Sequence, residues 1–248
     1  MKKLFFMSIA SMITLTGCGS NEHELIQAID NSYDLSTGQI VSKFDYTTEY
    51  NNIEIAGTVK GLITIDFGKD VDKISAQINF EGNEDAFEYY VDNKGNIIAD
   101  NEQSLYAPLY IDAPDLSEYL EELPEPVYTV VDVDGVETPV NQYTLLLEEM
   151  STPVAKSIFD PIIKMGFVSS DVLQLEKIKG DFTLNYYVNP ETGLLVSETL
   201  DYTNSTDDGL NTKTTIHIEN SYSYEENEVS LPTEEASADV SEASEGTN

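Results

Sequence analysis

Apolar and polar residues alternate with a period of two through most of the chain. From Ile53 to Phe67, Ile53, Ile55, Val59, Ile63, Ile65 and Phe67 share one parity, and Glu54, Thr58, Lys60, Thr64 and Asp66 share the other. That is the pattern of a long strand with one wet face. The same split recurs in Ile40, Phe44, Tyr46 and Tyr50, in Ile74, Ala76, Ile78 and Phe80, in Phe87, Tyr89 and Val91, and in Phe182, Leu184, Tyr186 and Val188. Parallel strands are apolar on both faces, so this pattern predicts an antiparallel sheet. Turn residues fall between the runs: Asn51-Asn52, Gly68-Lys69-Asp70, Asn93-Lys94-Gly95, Asp134-Gly135, Asn189 to Gly193 and Asp207 to Gly209. Consecutive strands should therefore pair as hairpins, about ten to twelve strands in all.

Three segments carry helical spacing instead. Residues 22–31 place Leu25, Ile26 and Ile29 on one face. Leu116 to Leu123 follows Asp115, with Glu118 three residues on in a capping-box arrangement. Thr152 as cap, Pro153 in the first turn, an apolar stripe of Val154, Ile158, Phe159, Ile162 and Ile163, and Gly166 as terminator define the third. A sheet with one apolar face must bury it, and these helices are the candidates to do so. The predicted fold class is α+β: one large antiparallel sheet, covered on its concave face by about three short helices. Strands of fifteen residues span about 50 Å and should twist the sheet into a half-barrel. Gly57 and Gly61 share the apolar parity of their strand, which predicts either a close contact or an unfilled cavity above them. Two hairpins, Tyr89-Tyr90-Val91-Asp92 to Gly95 and Tyr186-Tyr187-Val188-Asn189 to Gly193, look alike; shared turn demands explain this as well as an internal duplication does.

The two ends of the chain have different compositions. Lys2 and Lys3, an apolar run to about Leu15 and then Leu15-Thr16-Gly17-Cys18 describe a secretory leader. The Leu-Thr-Gly-Cys ending resembles the lipobox of bacterial lipoproteins, which implies lipid attachment at Cys18 after cleavage before it. The expected organisation is a signal peptide over 1–17, a lipidated linker over 18–21, one domain over 22–232, and a disordered acidic tail over 233–248. That tail of Glu, Asp, Ser, Ala, Thr and Gly offers too little apolar surface to offset ordering entropy. Cys18 is the only cysteine, so no disulfide is available and the domain depends on its core.

Charge narrows the partners. The chain has 46 acidic and 12 basic residues, a net charge of −34, and every basic residue is lysine. Nucleic acid is excluded as a partner. Anionic headgroups repel the domain, so the acyl chains at Cys18 must supply membrane attachment, and two or more chains anchor durably. The expected location is extracytoplasmic, on the cell membrane.

The order of elements resembles the lipoprotein-carrier superfamily, the Lol and LppX type of half-barrel. It comprises an amino-terminal helix, a long-stranded meander, a central helical insert, the Tyr186 to Leu195 hairpin, and a closing Glu228-Val229-Ser230-Leu231-Pro232. The resemblance implies an apolar pocket between sheet and helices, and it brings no catalytic residue.

Catalytic chemistry is sparse. His23 lies near the anchor, and His217 alternates with Ile216 and Ile218 toward solvent. There is no nucleophile elbow, no phosphate-cradling glycine loop and no histidine pair for zinc. Asp132-Val133-Asp134-Gly135 with Glu137 starts like a calcium loop but lacks the later ligands, so a hairpin turn is the better reading. Asp66, Asp70 and Asp72 read equally well as turn residues. No enzyme, cofactor or metal is expected. The leading expectation is an apolar ligand, an acyl chain or lipid, held by Phe44, Ile55, Ile63, Phe80, Tyr89, Leu184 and Ile218 under Ile158 and Ile162. The rival is a non-enzymatic envelope protein with a packed core whose acidic surface binds a cationic protein. A cavity of about 300 Å³ or more separates the first from the second.

Overall fold

A computed structural model describes residues 21–33, 37–50, 53–80, 83–92, 94, 96–100, 113–121, 123–133, 135–164, 177–206, 211–225 and 228–231. Its elements are α1 (Asn21–Tyr33), β1 (Gly38–Tyr50), β2 (Ile53–Phe67), β3 (Val71–Phe80), β4 (Asn83–Asp92), β5 (Ile97–Asp100), a 3-10 turn (Ser117–Tyr119), β6 (Val127–Val133), β7 (Val136–Ser151), α2 (Thr152–Lys164), β8 (Lys177–Val188), β9 (Leu195–Thr206) and β10 (Thr212–Ser223). Cys18, the leader, the acidic tail, Gly166 and the Asn51-Asn52 and Asp207 to Gly209 turns lie outside the described residues.

All ten strands join one antiparallel sheet in the order β5-β4-β3-β2-β1-β10-β9-β8-β7-β6. The chain enters at the centre of the sheet, meanders to one edge, crosses to the other and returns, and β1 meets β10 at the middle. The sheet is open, with β5 and β6 as its two edges.

The expected three-helix cover is corrected by this structure. Among the described residues there are two α-helices, and the sheet dominates the fold. Leu116 to Leu123 forms one 3-10 turn instead of a helix. Pro114 and Pro124 bracket it, and the Asp115 carboxylate accepts from Ser117 N and Oγ, two residues on, instead of capping a continuing helix. Leu116 and Leu120 are buried, so the segment lies over the sheet as a strap.

The inward parity forms the core as the alternation predicts: Ile40, Phe44, Ile63, Ile65, Ile74, Tyr89, Phe182, Leu184, Leu200 and Ile218 are buried, with Leu25, Ala28 and Ile29 of α1 and Val154, Ala155 and Phe159 of α2 against them. The outward parity carries polar pairs such as the ion pair of Lys60 with Asp45 at 3.1 Å and the hydrogen bond between His217 Nδ1 and Asp201 Oδ1 at 2.7 Å. His217 thus sits on the wet face.

The two similar hairpins close with the same device. Asp92 Oδ1 accepts from Lys94 N at 2.8 Å, and Asn189 Oδ1 accepts from Glu191 N at 2.8 Å. They lie in β4–β5 in the first half of the chain and in β8–β9 in the second. The Asp132 segment is also a turn: Gly135, at φ 84°, donates its amide to Asp132 Oδ1 at 3.0 Å. Asp72 likewise accepts from Gly68 N, at 3.2 Å.

Candidate functional site

One polar row crosses the apolar face. Register places Ser42 opposite Asn220, Asn220 opposite Glu198, Glu198 opposite Tyr186, and Tyr186 opposite Tyr143. Each occupies the inward parity of its strand, between or beside apolar residues: Ser42 between Ile40 and Phe44, Asn220 between Ile218 and Tyr222, Glu198 before Leu200.

Glu198 is the centre of this row and is 8% exposed. Its Oε1 accepts from Tyr33 Oη of α1 at 2.6 Å, from Asn220 Nδ2 at 2.7 Å and from Tyr222 Oη at 2.9 Å. Its Oε2 and Asn220 Oδ1 are buried without a hydrogen-bond partner among the described residues. Burial raises the Glu198 carboxyl above its ordinary value, and the three donors oppose that shift without cancelling it. Burial, and then the Glu198 charge, raises Tyr33, Tyr186 and Tyr222 well above the usual phenol value. The tyrosines therefore stay protonated, and Tyr33 and Tyr222 donate to Glu198.

These groups border a cavity of about 30 Å³ beneath the strap, lined by Tyr33, Glu198 and Asn220 on one side and by Ile158, Leu184 and Ile218 on the other. That is roughly the volume of one water molecule and about a tenth of what an apolar ligand needs. Of the expected pocket residues, Ile158, Leu184 and Ile218 come together there. Phe44, Ile63 and Tyr89 are buried in the packed core and do not line it. The side chains of Ile55, Phe80 and Ile162 lie outside the described residues. The ring of Phe44 lies directly over Gly61, where a Cβ would strike its Cε1 and Cζ, so close contact and not empty space explains that glycine.

Two larger spaces open at the surface. One, of about 220 Å³, lies between α1 and the strap and is lined by Ile26, Ile29, Asp30 and 113–117. The other, of about 500 Å³, runs between the strap and residues 144–147 of β7. Tyr119 ties the strap there, its Oη accepting from Ser151 N at 2.6 Å.

No three His, Cys, Asp or Glu side chains among the described residues are grouped to hold a metal ion, and no described helix is long and apolar enough to cross a membrane. Sequence reasoning missed Glu198, although a glutamate on the inward parity, two residues before Leu200 and four before Tyr202, was its signal.

No family model matches the chain, and no curated protein matches it. Among solved structures it is similar to the Pseudomonas aeruginosa MucA/MucB complex, at 11% identity over 87% of this chain, with a TM-score of 0.33; it spans 59% of the length of that chain. A DUF1329 family protein from Desulfovibrio piger is 12% identical over 87% of this chain and 96% of that one, with a TM-score of 0.18. A porin-like protein from Bacteroides uniformis is 9% identical over 77% and 98%, with a TM-score of 0.27. At these TM-scores none of the three defines a common fold with this chain.

Proposed function

We propose that this chain is an extracytoplasmic, non-enzymatic binding module, held at the membrane through lipid on Cys18, whose folded domain engages a protein partner at its surface. The observation that supports the reading is the small size of the inner cavity beside Glu198, about 30 Å³ among the described residues, against about 500 Å³ of open groove beside β7. The exposed apolar side chains Val127, Tyr128, Val130, Val136 and Leu146, all on the β6–β7 hairpin, support it, because such patches serve as contact surfaces. The network around Glu198 supports a structural and not a catalytic role for the interior, since its tyrosines are held protonated and neither histidine is near it.

Three measurements test this. Full-length protein with Cys18→Ser, in native mass spectrometry, should carry no copurified lipid, and zero-length cross-linking in cells should give adducts that fade as salt rises. Copurified lipid together with the absence of any adduct would overturn the reading. Metabolic labelling with an alkynyl fatty acid should mark the native chain and not Cys18→Ser.

A second reading, an acyl chain or lipid held between sheet and helices, is favoured by one observation. Pro114 borders both the inner cavity and the 220 Å³ groove beside α1, so displacement of the strap would join them. Uptake of a fluorescent lipid that stops when the strap is cross-linked to α1 supports that reading, and no uptake by native protein removes it.

A further inference from the structure

We propose that the groove beside β7 receives an extended cationic segment of the partner protein, which adds a strand to the free sheet edge at residues 144–147; this rests on the partner-binding reading above. β6 pairs with β7 only from Val136 to Gln142. From Tyr143 to Ser151, β7 has β8 on one side and no strand on the other among the described residues. An unpaired edge presents a row of backbone donors and acceptors that an extended peptide completes.

The sequence leaves this edge unguarded. Thr144-Leu145-Leu146-Leu147 has no charge and no proline, the devices that usually blunt an edge, and Leu146 is 74% exposed. Opposite it the strap presents Tyr119, Leu123 and Pro124 across an open groove of about 500 Å³. The bond that Ser151 N donates to Tyr119 Oη shows that an amide at the end of this strand points toward the strap and donates to a partner there.

Charge selects the occupant. Glu121 and Glu125 on the strap and Glu148 on β7 are exposed around the groove, on a chain whose net charge is −34. A second copy would bring the same charge to the same place, and the acidic segment over 233–248 is repelled likewise. Lysine or arginine side chains alternating with apolar ones would set the apolar set against Leu123 and Leu146 and the cationic set beside the glutamates.

The test uses the full chain in detergent micelles and a fluorescent octapeptide of alternating lysine and valine. That peptide should bind at least tenfold more tightly than its glutamate–valine counterpart, and amide exchange at residues 144–147 should slow at least tenfold when it is bound. Leu146→Lys with Glu121→Lys, both at exposed positions, should weaken binding at least tenfold without altering the thermal transition. Methylating alternate peptide nitrogens should abolish binding, because the strand bonds are then lost while the charge is kept. Equal binding of the methylated peptide, or unchanged exchange at 144–147, would overturn the proposal as mere adsorption to an acidic surface. A dimer in sedimentation that Leu146→Lys dissociates would overturn it in favour of a second copy. If cellular cross-links survive Leu146→Lys, the edge proposal falls and the partner-binding reading stands; if native chain gives none, that reading falls with it.

Discussion

Asn220 and Glu198 face one another across β10 and β9, and the amide Nδ2 of Asn220 donates to Glu198 Oε1 at 2.7 Å while Glu198 Oε2 and Asn220 Oδ1 have no partner among the described residues. One carboxylate oxygen thus collects three donors, and the other collects none among the described residues. The arrangement fixes Tyr33 of α1 over the middle of the sheet, so the same residue that strains the core electrostatically also positions the helix.

The pH dependence of stability follows from this burial. The Glu198 carboxyl is raised above its ordinary value of 4.5, so the folded state holds a proton that the unfolded state releases. Its contribution is fully present below that value and is lost as pH rises through the folded one. Glu198→Gln, which keeps an acceptor for the donors and removes the charge, should be at least as stable as native protein at pH 7 and less stable relative to it at pH 4. Glu198→Leu, which orphans three donors, should lose about 3 kcal/mol at pH 4 and less at pH 7, where the native protein buries a charge that the variant lacks. Urea unfolding of the three proteins at pH 4 and 7 checks this; a native-minus-Gln difference that does not change with pH would refute the assignment.

Gly61 and Phe44 give a packing test. They are direct partners on β2 and β1, and the Phe44 ring occupies the space that a Cβ at 61 would need. Gly61→Val should destabilise by about 1–3 kcal/mol, as overpacking does. In a Phe44→Leu background the same change should cost less, and a double-mutant cycle in denaturant measures the difference. Strict additivity would show that the ring does not fill that space.

The strands were legible because alternation is local: β2 runs from Ile53 to Phe67 with the bounds its pattern predicts, and Thr152 and Pro153 mark the start of α2 unambiguously. Leu116 to Leu123 misled because leucines four and three residues apart fit a helix and a strap pinned between two prolines equally well. The Glu198 site was illegible for a different reason. Ser42, Asn220 and Glu198 are three isolated polar residues on inward parities until the β1–β10 pairing, which joins distant parts of the chain, sets them side by side. Parity likewise told which side chains point inward, as for Phe44, Ile63 and Tyr89, and could not tell whether space remained between them.

Ser32 closes a clasp between α1 and the sheet. Its Oγ accepts from Leu195 N at 2.8 Å and lies 2.9 Å from Tyr224 Oη, which donates to Leu195 O at 2.7 Å. Both backbone groups of Leu195 are thus satisfied by side chains from α1 and from the residue after β10. Ser32→Ala would leave a buried amide unpaired and should cost about 1–3 kcal/mol. Hydrogen exchange should show the Leu195 amide losing protection ahead of its β9 neighbours; equal protection in both proteins would mean that this bond contributes nothing.

Salt should stabilise this protein, in spite of its ion pairs. Lys43 with Glu219, Lys60 with Asp45 and Lys73 with Glu88 are all on the wet face, and exposed pairs contribute about 0–1 kcal/mol each. Against them stands the mutual repulsion of a chain at −34. Screening acts on both, but repulsion sums over many more partners, and the Debye length falls from about 30 Å at 0.01 M to about 3 Å at 1 M. The thermal midpoint should therefore rise with sodium chloride across that range. Lys73→Met isolates the opposing effect. The hydrogen bond that Lys73 Nζ donates to Glu88 Oε2, at 2.6 Å, raises the Lys73 ammonium above its ordinary value of 10.5, so its stabilisation is present at neutral pH and is lost as pH rises through the folded value. The variant should lose at most about 1 kcal/mol at low salt and less at high salt. A midpoint that falls with salt in native protein but not in Lys73→Met would show that this one pair outweighs the repulsion of the whole surface.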